Sequence, residues 1–161
     1  MTAPNAANPF VTACGRAGRV YVYRGLASTR GLYQTIPWQV LDVRDRLDDV
    51  DGAPQCRASS FAGSGLAVLD LDGDGHRDLA LGAPGNGAPN FGSVIVYRGT
   101  ARGLFEEAPS WVVHVDAAQR TNNPRLGFGL DVVSVSATEK LLVVRVPTFG
   151  QNPAGASASN T

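Results

Sequence analysis

A run of nine residues, 70–78, places acidic side chains at a spacing suited to binding a metal ion. It reads DLDGDGHRD, with aspartate at its first, third, fifth and ninth positions. Calcium takes about 6–8 oxygen ligands, and carboxylates at alternate positions converge on one ion only where the chain curls around it. The loop glycines permit that curl because glycine readily adopts positive φ. The candidate ligands are the carboxylates of Asp70, Asp72, Asp74 and Asp78 and the main-chain carbonyl of His76.

This loop matches the first half of an EF-hand calcium loop, but its twelfth position is Leu81 instead of the bidentate glutamate. Its flanks, 66–71 and 79–81, are short apolar runs typical of strands. The pattern therefore predicts a calcium-binding β-hairpin. Calcium is favoured over magnesium because magnesium keeps its waters and uses few carboxylates. A metal-free acidic turn is the alternative.

The elements that would position this loop occur in repeated copies. Residues 18–25, GRVYVYRG, match 92–99, GSVIVYRG, at six of eight positions. Residues 63–69, GSGLAVL, match 127–133, GFGLDVV. Each copy is followed by another apolar run, so the strands along the chain follow the order C, D, A, B, C, D, A, B. Four short antiparallel strands that recur in this way are the unit of a β-propeller blade.

We therefore predict an all-β chain, 1–161, that forms one partial β-propeller of about two blades. A β-sandwich would explain the strands equally well but does not require the internal copy. We expect the central runs, 66–71 and 79–82, to be covered on both faces. The predicted parts are a half blade of strands C and D at 16–43, a full blade at 61–116, a half blade of strands A and B at 125–148, and a flexible tail at 150–161.

Composition excludes several classes of partner. The chain has 14 basic and 14 acidic side chains, so it has no basic field for nucleic acid or anionic lipid. It has no apolar run long enough to span a membrane, and its first 14 residues do not form a signal peptide. Cys14 and Cys56 are a disulfide pair in an oxidising compartment or two free thiols in a reducing one.

Other polar features predict little chemistry. The hairpin that corresponds to the acidic loop in the next copy, 134–140, keeps only Glu139 as an acid, so we predict no ion there. The acidic stretch 42–52 lacks the required spacing and is interpreted as a solvated connection. His114 lies in a predicted strand and no nucleophile elbow is present, so we predict no catalysis. We expect four aromatic residues to pack between blades: Trp38, Trp111, Tyr23 and Tyr97.

Residues 61–99 resemble an FG-GAP repeat of the kind found in integrin alpha subunits. The resemblance rests on the calcium hairpin, on Gly82-Ala83-Pro84, and on the strand that begins at Gly92 and ends at Tyr97. The Phe-Gly opening is altered to Phe61-Ala62-Gly63. The later copy keeps Phe-Gly at Phe128-Gly129 but has Arg145-Val146-Pro147 in place of Gly-Ala-Pro.

The resemblance implies a calcium-stabilised module that binds protein or carbohydrate outside the cell or at its surface, with a structural ion. An alternative is a non-catalytic accessory segment of a secreted hydrolase or phospholipase. A third is a repetitive structural segment with no ligand beyond calcium. The complementary half blades at the two ends also suggest self-association, in which strands A and B of one copy complete a propeller with strands C and D of another.

Overall fold

The computed structural model describes residues 2–3, 18–26, 33–43, 61–86, 91–115, 124–136 and 139–147. All regular elements in these ranges are strands, which confirms the predicted all-β class. None of the described segments forms a helix long and apolar enough to cross a membrane. Several predictions concern residues outside the described ranges: Cys14, Cys56, the tail at 150–161, and residues 44–52 of the acidic connection.

The strands form three separate antiparallel sheets. The first sheet contains β1 (Thr2–Ala3), β2 (Arg19–Val22) and β3 (Gln39–Asp42), in that order. The central sheet contains β4 (Gly65–Leu69), β5 (Asp78–Ala83), β6 (Ser93–Tyr97) and β7 (Trp111–His114). The third sheet contains β8 (Gly129–Ser134) and β9 (Lys140–Arg145). The central sheet is thus a four-stranded blade, and the predicted strands C and D before it and A and B after it are all present.

The internal sequence repeat is also a structural repeat. The Trp38 amide donates to the carbonyl of Val22 at 2.7 Å, and the Ser110 amide donates to the carbonyl of Val96 at 2.7 Å. These bonds lie between β2 and β3 in the first sheet and between β6 and β7 in the central sheet. The matching sequences 18–25 and 92–99 therefore fold in the same way. The division of the flanking sheets into half blades stays a prediction.

The three sheets are stacked face to face. Val20, Leu41 and Val43 of the first sheet pack against Leu79, Leu81 and Ile95 on one face of the central sheet. On the opposite face, a second core joins Ala67, Leu69, Ala80, Val94 and Val96 to Leu130, Val132, Leu142 and Val144 of the third sheet. Every residue of β5 and β6 is consequently buried, as we predicted for 79–82.

The prediction of burial on both faces is wrong for β4. This strand alternates, with Leu66 and Val68 40 % and 41 % exposed. The physical reason is its place at the edge of the sheet. The core beneath the first sheet contains residues of β5 and β6 but none of β4, so one face of β4 stays open.

Close backbone contacts between successive sheets require glycine. A Cβ added to Gly82 would lie 1.8 Å from the carbonyl oxygen of Gly127, which itself has φ +85°. A Cβ added to Gly18, with φ +99°, would lie 2.3 Å from the carbonyl oxygen of Ala62. At both interfaces between sheets, main chain therefore meets main chain with no room for a side chain.

The short strand β1 was not predicted. Thr2 pairs with Val20 and Ala3 with Arg19, so β1 lies along β2 on the side opposite β3. In the central sheet the corresponding place beside β6 is occupied by β5. In the predicted self-association, strands A and B of another copy would pair with this edge of β2. Part of that edge is already paired with β1.

Candidate metal site

The acidic loop connects β4 to β5, and the hairpin register places its two ends side by side. Leu69 pairs with Asp78, which is the first residue of β5, and Asp70 follows β4 directly. The first and ninth positions of the loop are therefore brought together by the ladder. The predicted setting, a β-hairpin instead of a helix pair, is what the structure contains.

Three of the four predicted carboxylates converge. Asp70, Asp72 and Asp78 each offer one oxygen, and these oxygens all lie within 4.8 Å of one another. Ligands on opposite sides of a calcium ion are about 4.6–5.2 Å apart, since each calcium–oxygen distance is about 2.3–2.6 Å. The donors are all carboxylate oxygens, which a hard cation prefers. The cluster thus fits calcium in spacing and in ligand type.

Main-chain amides hold the loop in its curled shape. The two oxygens of Asp70 accept hydrogen bonds from the amides of Gly73 at 2.7 Å and Gly75 at 2.9 Å. Both glycines have positive φ, +80° and +85°, in agreement with the predicted curl. The first aspartate therefore shapes the turn in addition to facing the cluster.

Asp78 ties the loop to the rest of the sheet. Its side chain is fully buried, and its oxygens accept from the amides of Leu71 at 2.7 Å and Gly99 at 2.8 Å. Gly99 comes just after β6. A buried carboxylate is tolerated when such donors replace water. Asp78 thus joins the start of the loop to the end of the neighbouring strand.

Asp74 and His76 do not belong to the cluster of three. Asp74 is exposed, and its Oδ1 accepts from the amide of His76 at 2.7 Å. The Asp74 amide in turn donates to Oδ1 of Asp72 at 3.1 Å. The roles of Asp74 and of the His76 carbonyl as ligands stay predictions.

Sequence reasoning missed a cation at the site. Nε of Arg98 lies 2.6 Å from Oδ2 of Asp72, and the Arg98 guanidinium carbon lies 5.5 Å from the ring centroid of Trp111. The repeat contained a signal, because Arg24 in the earlier copy lies over Trp38 in the same way, at 5.0 Å. The two arginines occupy matching repeat positions, whereas the tryptophans differ by one position in register, because Val22 pairs with Gln39 and Val96 pairs with Trp111.

The aromatic residues divide into two groups. Tyr97 is fully buried in the core between the first and central sheets, as expected for packing between blades. Trp38 and Trp111 are each 42 % exposed and carry the arginine contacts instead. His114 lies in β7, as predicted from the sequence.

The hairpin of the third sheet has different chemistry. Ser134 pairs with Lys140 across its base, and Nζ of Lys140 donates to Oγ of Ser134 at 3.3 Å. The amide of Glu139 donates to Oγ of Ser136 at 3.0 Å. That this hairpin binds no ion stays a prediction.

Comparison with known proteins agrees with this geometry. The FG-GAP repeat profile matches residues 62–97, which include the acidic loop, β5 and β6. Integrin alpha-V of Gallus gallus is 42 % identical over 69 residues, or 42 % of this chain and 7 % of the integrin. Integrin alpha-E of Mus musculus is 35 % identical over 107 residues, or 62 % of this chain and 8 % of the integrin.

A second class of relative is a phospholipase. Phosphatidylinositol-glycan-specific phospholipase D of Mus musculus is 47 % identical over 51 residues, or 30 % of this chain and 6 % of the phospholipase. The chain therefore spans less than a tenth of the length of these curated relatives. Residues 62–97 of the chain therefore match an FG-GAP repeat, and the chain is similar over part of its length to integrin alpha subunits.

Proposed function

We propose that this chain is a calcium-binding FG-GAP module of an extracellular β-propeller and that its ion is structural. The observation that carries the proposal is the convergence of Asp70, Asp72 and Asp78 in the hairpin matched by the FG-GAP profile. Calcium would neutralise these carboxylates and fill the centre of the turn. Asp74 and the His76 carbonyl are proposed to complete the protein's ligand set.

The module's role is proposed to be adhesion, by binding an extracellular protein or a carbohydrate. Integrin alpha subunits are among its relatives, which supports a place outside the cell or at its surface. The balanced charge, 14 basic and 14 acidic side chains, argues against a nucleic-acid partner. The chain itself is proposed to be non-catalytic.

A second candidate is a non-catalytic accessory segment of a secreted hydrolase or phospholipase. It is favoured by the 47 % identity to a phospholipase D over 51 residues. The two candidates share the calcium site and differ in what the module serves. Further FG-GAP repeats on the same polypeptide would favour the adhesion role, and an adjoining hydrolase domain would favour the accessory role.

We also propose that copies of the chain associate to complete a propeller, with strands A and B of one copy (β8 and β9) pairing with strands C and D of another (β2 and β3). Tyr21 and Val40 are paired on the outer face of the first sheet, and Val133, Leu141 and Val143 lie on the outer face of the third sheet. By repeat position, Tyr21 corresponds to Ile95, which is buried against the preceding sheet. The outer faces of the first and third sheets therefore carry apolar side chains at positions that are buried between sheets elsewhere in the chain.

Calorimetric titration with calcium tests the central proposal. We expect one site with a dissociation constant of about 10⁻⁴–10⁻³ M, as in extracellular modules. Asp70→Ala and Asp74→Ala should abolish or strongly weaken binding, whereas Glu139→Gln in the other hairpin is the matched control and should leave it unchanged. Absence of binding at concentrations of several millimolar would contradict the proposal.

A further inference from the structure

Arg98 joins the acidic loop to the outer strand of the same blade. Its Nε lies 2.6 Å from Oδ2 of Asp72, and its guanidinium lies over the ring of Trp111. Asp72 is exposed as a whole residue although its side chain is 15 % exposed, so this charge contact lies at the surface of the loop. Arg98 is therefore the cation that faces one of the three clustered carboxylates.

The backbone holds the stem of Arg98 in place. Its amide donates to Oγ of Ser110 at 3.3 Å, and its carbonyl accepts from the amide of Glu106 at 2.9 Å. The next residue, Gly99, donates to Asp78. The end of β6 thus contacts the loop at two carboxylates, through the Gly99 amide at Asp78 and through the Arg98 guanidinium at Asp72.

The contact with Asp72 is an ion pair and not an aligned hydrogen bond. Nε of Arg98 is buried, yet its N–H makes no hydrogen bond within the described residues. An arginine held by charge attraction alone, without directed bonds, is easier to displace than one in a bidentate pair. The 43 % exposed Arg98 side chain has solvent to move into.

The earlier copy supplies a comparison inside the same chain. Arg24 lies 5.0 Å from the ring centroid of Trp38, which reproduces the arginine–tryptophan contact of the central blade. Among the described residues, Arg24 has no ion pair with a loop aspartate. The stacking therefore does not depend on an acidic loop, and the contact with Asp72 is an added feature of the central blade.

We propose that Arg98 competes with the metal ion for Asp72. In the metal-free protein Arg98 neutralises this carboxylate, and on metal binding the guanidinium withdraws because a divalent ion bound to the same carboxylate repels it. Arg98 thereby sets the affinity of the site, and Trp111 reports its occupancy because Arg98 lies over that ring. This inference rests on the proposed calcium site.

Calorimetry on Arg98→Gln tests the competition. We expect the dissociation constant for calcium to fall by roughly threefold to tenfold, since a nearby like charge is removed. Arg24→Gln removes the corresponding arginine, which has no ion pair with a loop aspartate among the described residues, and should bind as the unmodified protein does. An unchanged or weaker affinity in Arg98→Gln would overturn the inference and leave the calcium site intact. Absence of binding in both the unmodified protein and Arg98→Gln would overturn the site itself.

Fluorescence tests the same inference without changing Arg98. The chain has two tryptophans, so Trp38→Phe leaves Trp111 as the reporter and Trp111→Phe leaves Trp38. On calcium titration the emission of Trp38→Phe should change with the calorimetric midpoint, and the emission of Trp111→Phe should not. Equal responses, or none where calorimetry detects binding, would overturn the role of Arg98.

Discussion

At the scale of single residues, hydrogen bonds within the protein hold the acidic loop in its curled conformation without a metal ion. Asp70 accepts from the amides of Gly73 and Gly75, and Asp78 accepts from the amides of Leu71 and Gly99. Hydrogen bonds to charged acceptors are stronger than neutral ones. The same carboxylates that would bind calcium therefore also hold the turn, so removing one changes both affinity and stability.

Asp78→Asn separates these two effects. The asparagine side chain turns one acceptor into a donor that faces a main-chain amide, so we expect a loss of about 2–3 kcal/mol in the free energy of unfolding. Urea denaturation in the presence of a chelator measures it without calcium. Asp74→Asn, at an exposed position of the same loop, is the control and should change stability by less than about 0.5 kcal/mol. Equal losses in the two variants would contradict the structural role of Asp78.

At the scale of elements, the blade depends on how closely its neighbours approach. Gly82 of β5 meets the carbonyl of Gly127, just before β8. Gly65 and Gly129 occupy matching positions of the repeat. Gly65 pairs with Gly82 and Gly129 pairs with Arg145, so β9 has an arginine at the position where β5 has Gly82. The outer face of the third sheet thus cannot accept a neighbour with the same backbone contact. Any partner there must leave room for an arginine.

Gly82→Ala tests the close approach. Its new Cβ would lie 1.8 Å from the Gly127 oxygen, so the central and third sheets must separate, and we expect a loss of roughly 2–4 kcal/mol or more. Gly25→Ala is the matched control, because a Cβ there would meet nothing within 4 Å. Thermal and urea unfolding compare the two. A Gly82→Ala protein as stable as Gly25→Ala would show that the sheets do not pack as described.

At the scale of the whole molecule, the described strands form a stack of three sheets with a blade in the middle. Both faces of β5 and β6 in the blade are buried, and the outer sheets each leave one face open. The metal loop lies at the β4–β5 end of that blade and reaches β6 through Asp78. An ion bound there would stabilise the folded stack, because the cluster depends on the register of the hairpin.

Calcium should therefore raise global stability by mass action. With a dissociation constant of about 10⁻⁴–10⁻³ M, addition of about 10 mM calcium should add about 1.4–2.7 kcal/mol to the free energy of unfolding. Denaturation with calcium, with magnesium and with a chelator measures the gain. Asp70→Asn should abolish the calcium-specific part. An equal gain from magnesium would indicate nonspecific screening of the loop.

Self-association should depend on the outer face of the third sheet. Sedimentation velocity across a concentration series should show oligomers that Val143→Glu, 46 % exposed in the free chain, converts to monomers by burying a charge at the interface. Leu66→Glu, 40 % exposed on β4, is the control and should leave the oligomers intact. A monomer throughout the series would contradict the proposed association.

The sequence alone determined the all-β class, the order of strands from β2 to β9 and the hairpin that contains the acidic loop. Those features are local or repeated: short apolar runs between turn residues predict strands, and a second copy with the same spacing confirms them. Aspartates at alternate positions, with glycines that let the chain curl, predict that the carboxylates converge, because one calcium ion needs several oxygen ligands around it. For the same reason the carboxylates of Asp70 and Asp78 could be assigned to one site.

The contacts between residues far apart in the chain could be established from the tertiary structure but not from the sequence. β1 pairs with β2, which nothing in the sequence of β1 predicts. One face of β4 stays open because the core below the first sheet contains no residue of β4. Asp74 falls outside the cluster of three, while Arg98, more than twenty positions along the chain, faces Asp72. Such contacts depend on how the strands pair and how the sheets stack. The spacing of residues along the sequence does not predict either arrangement.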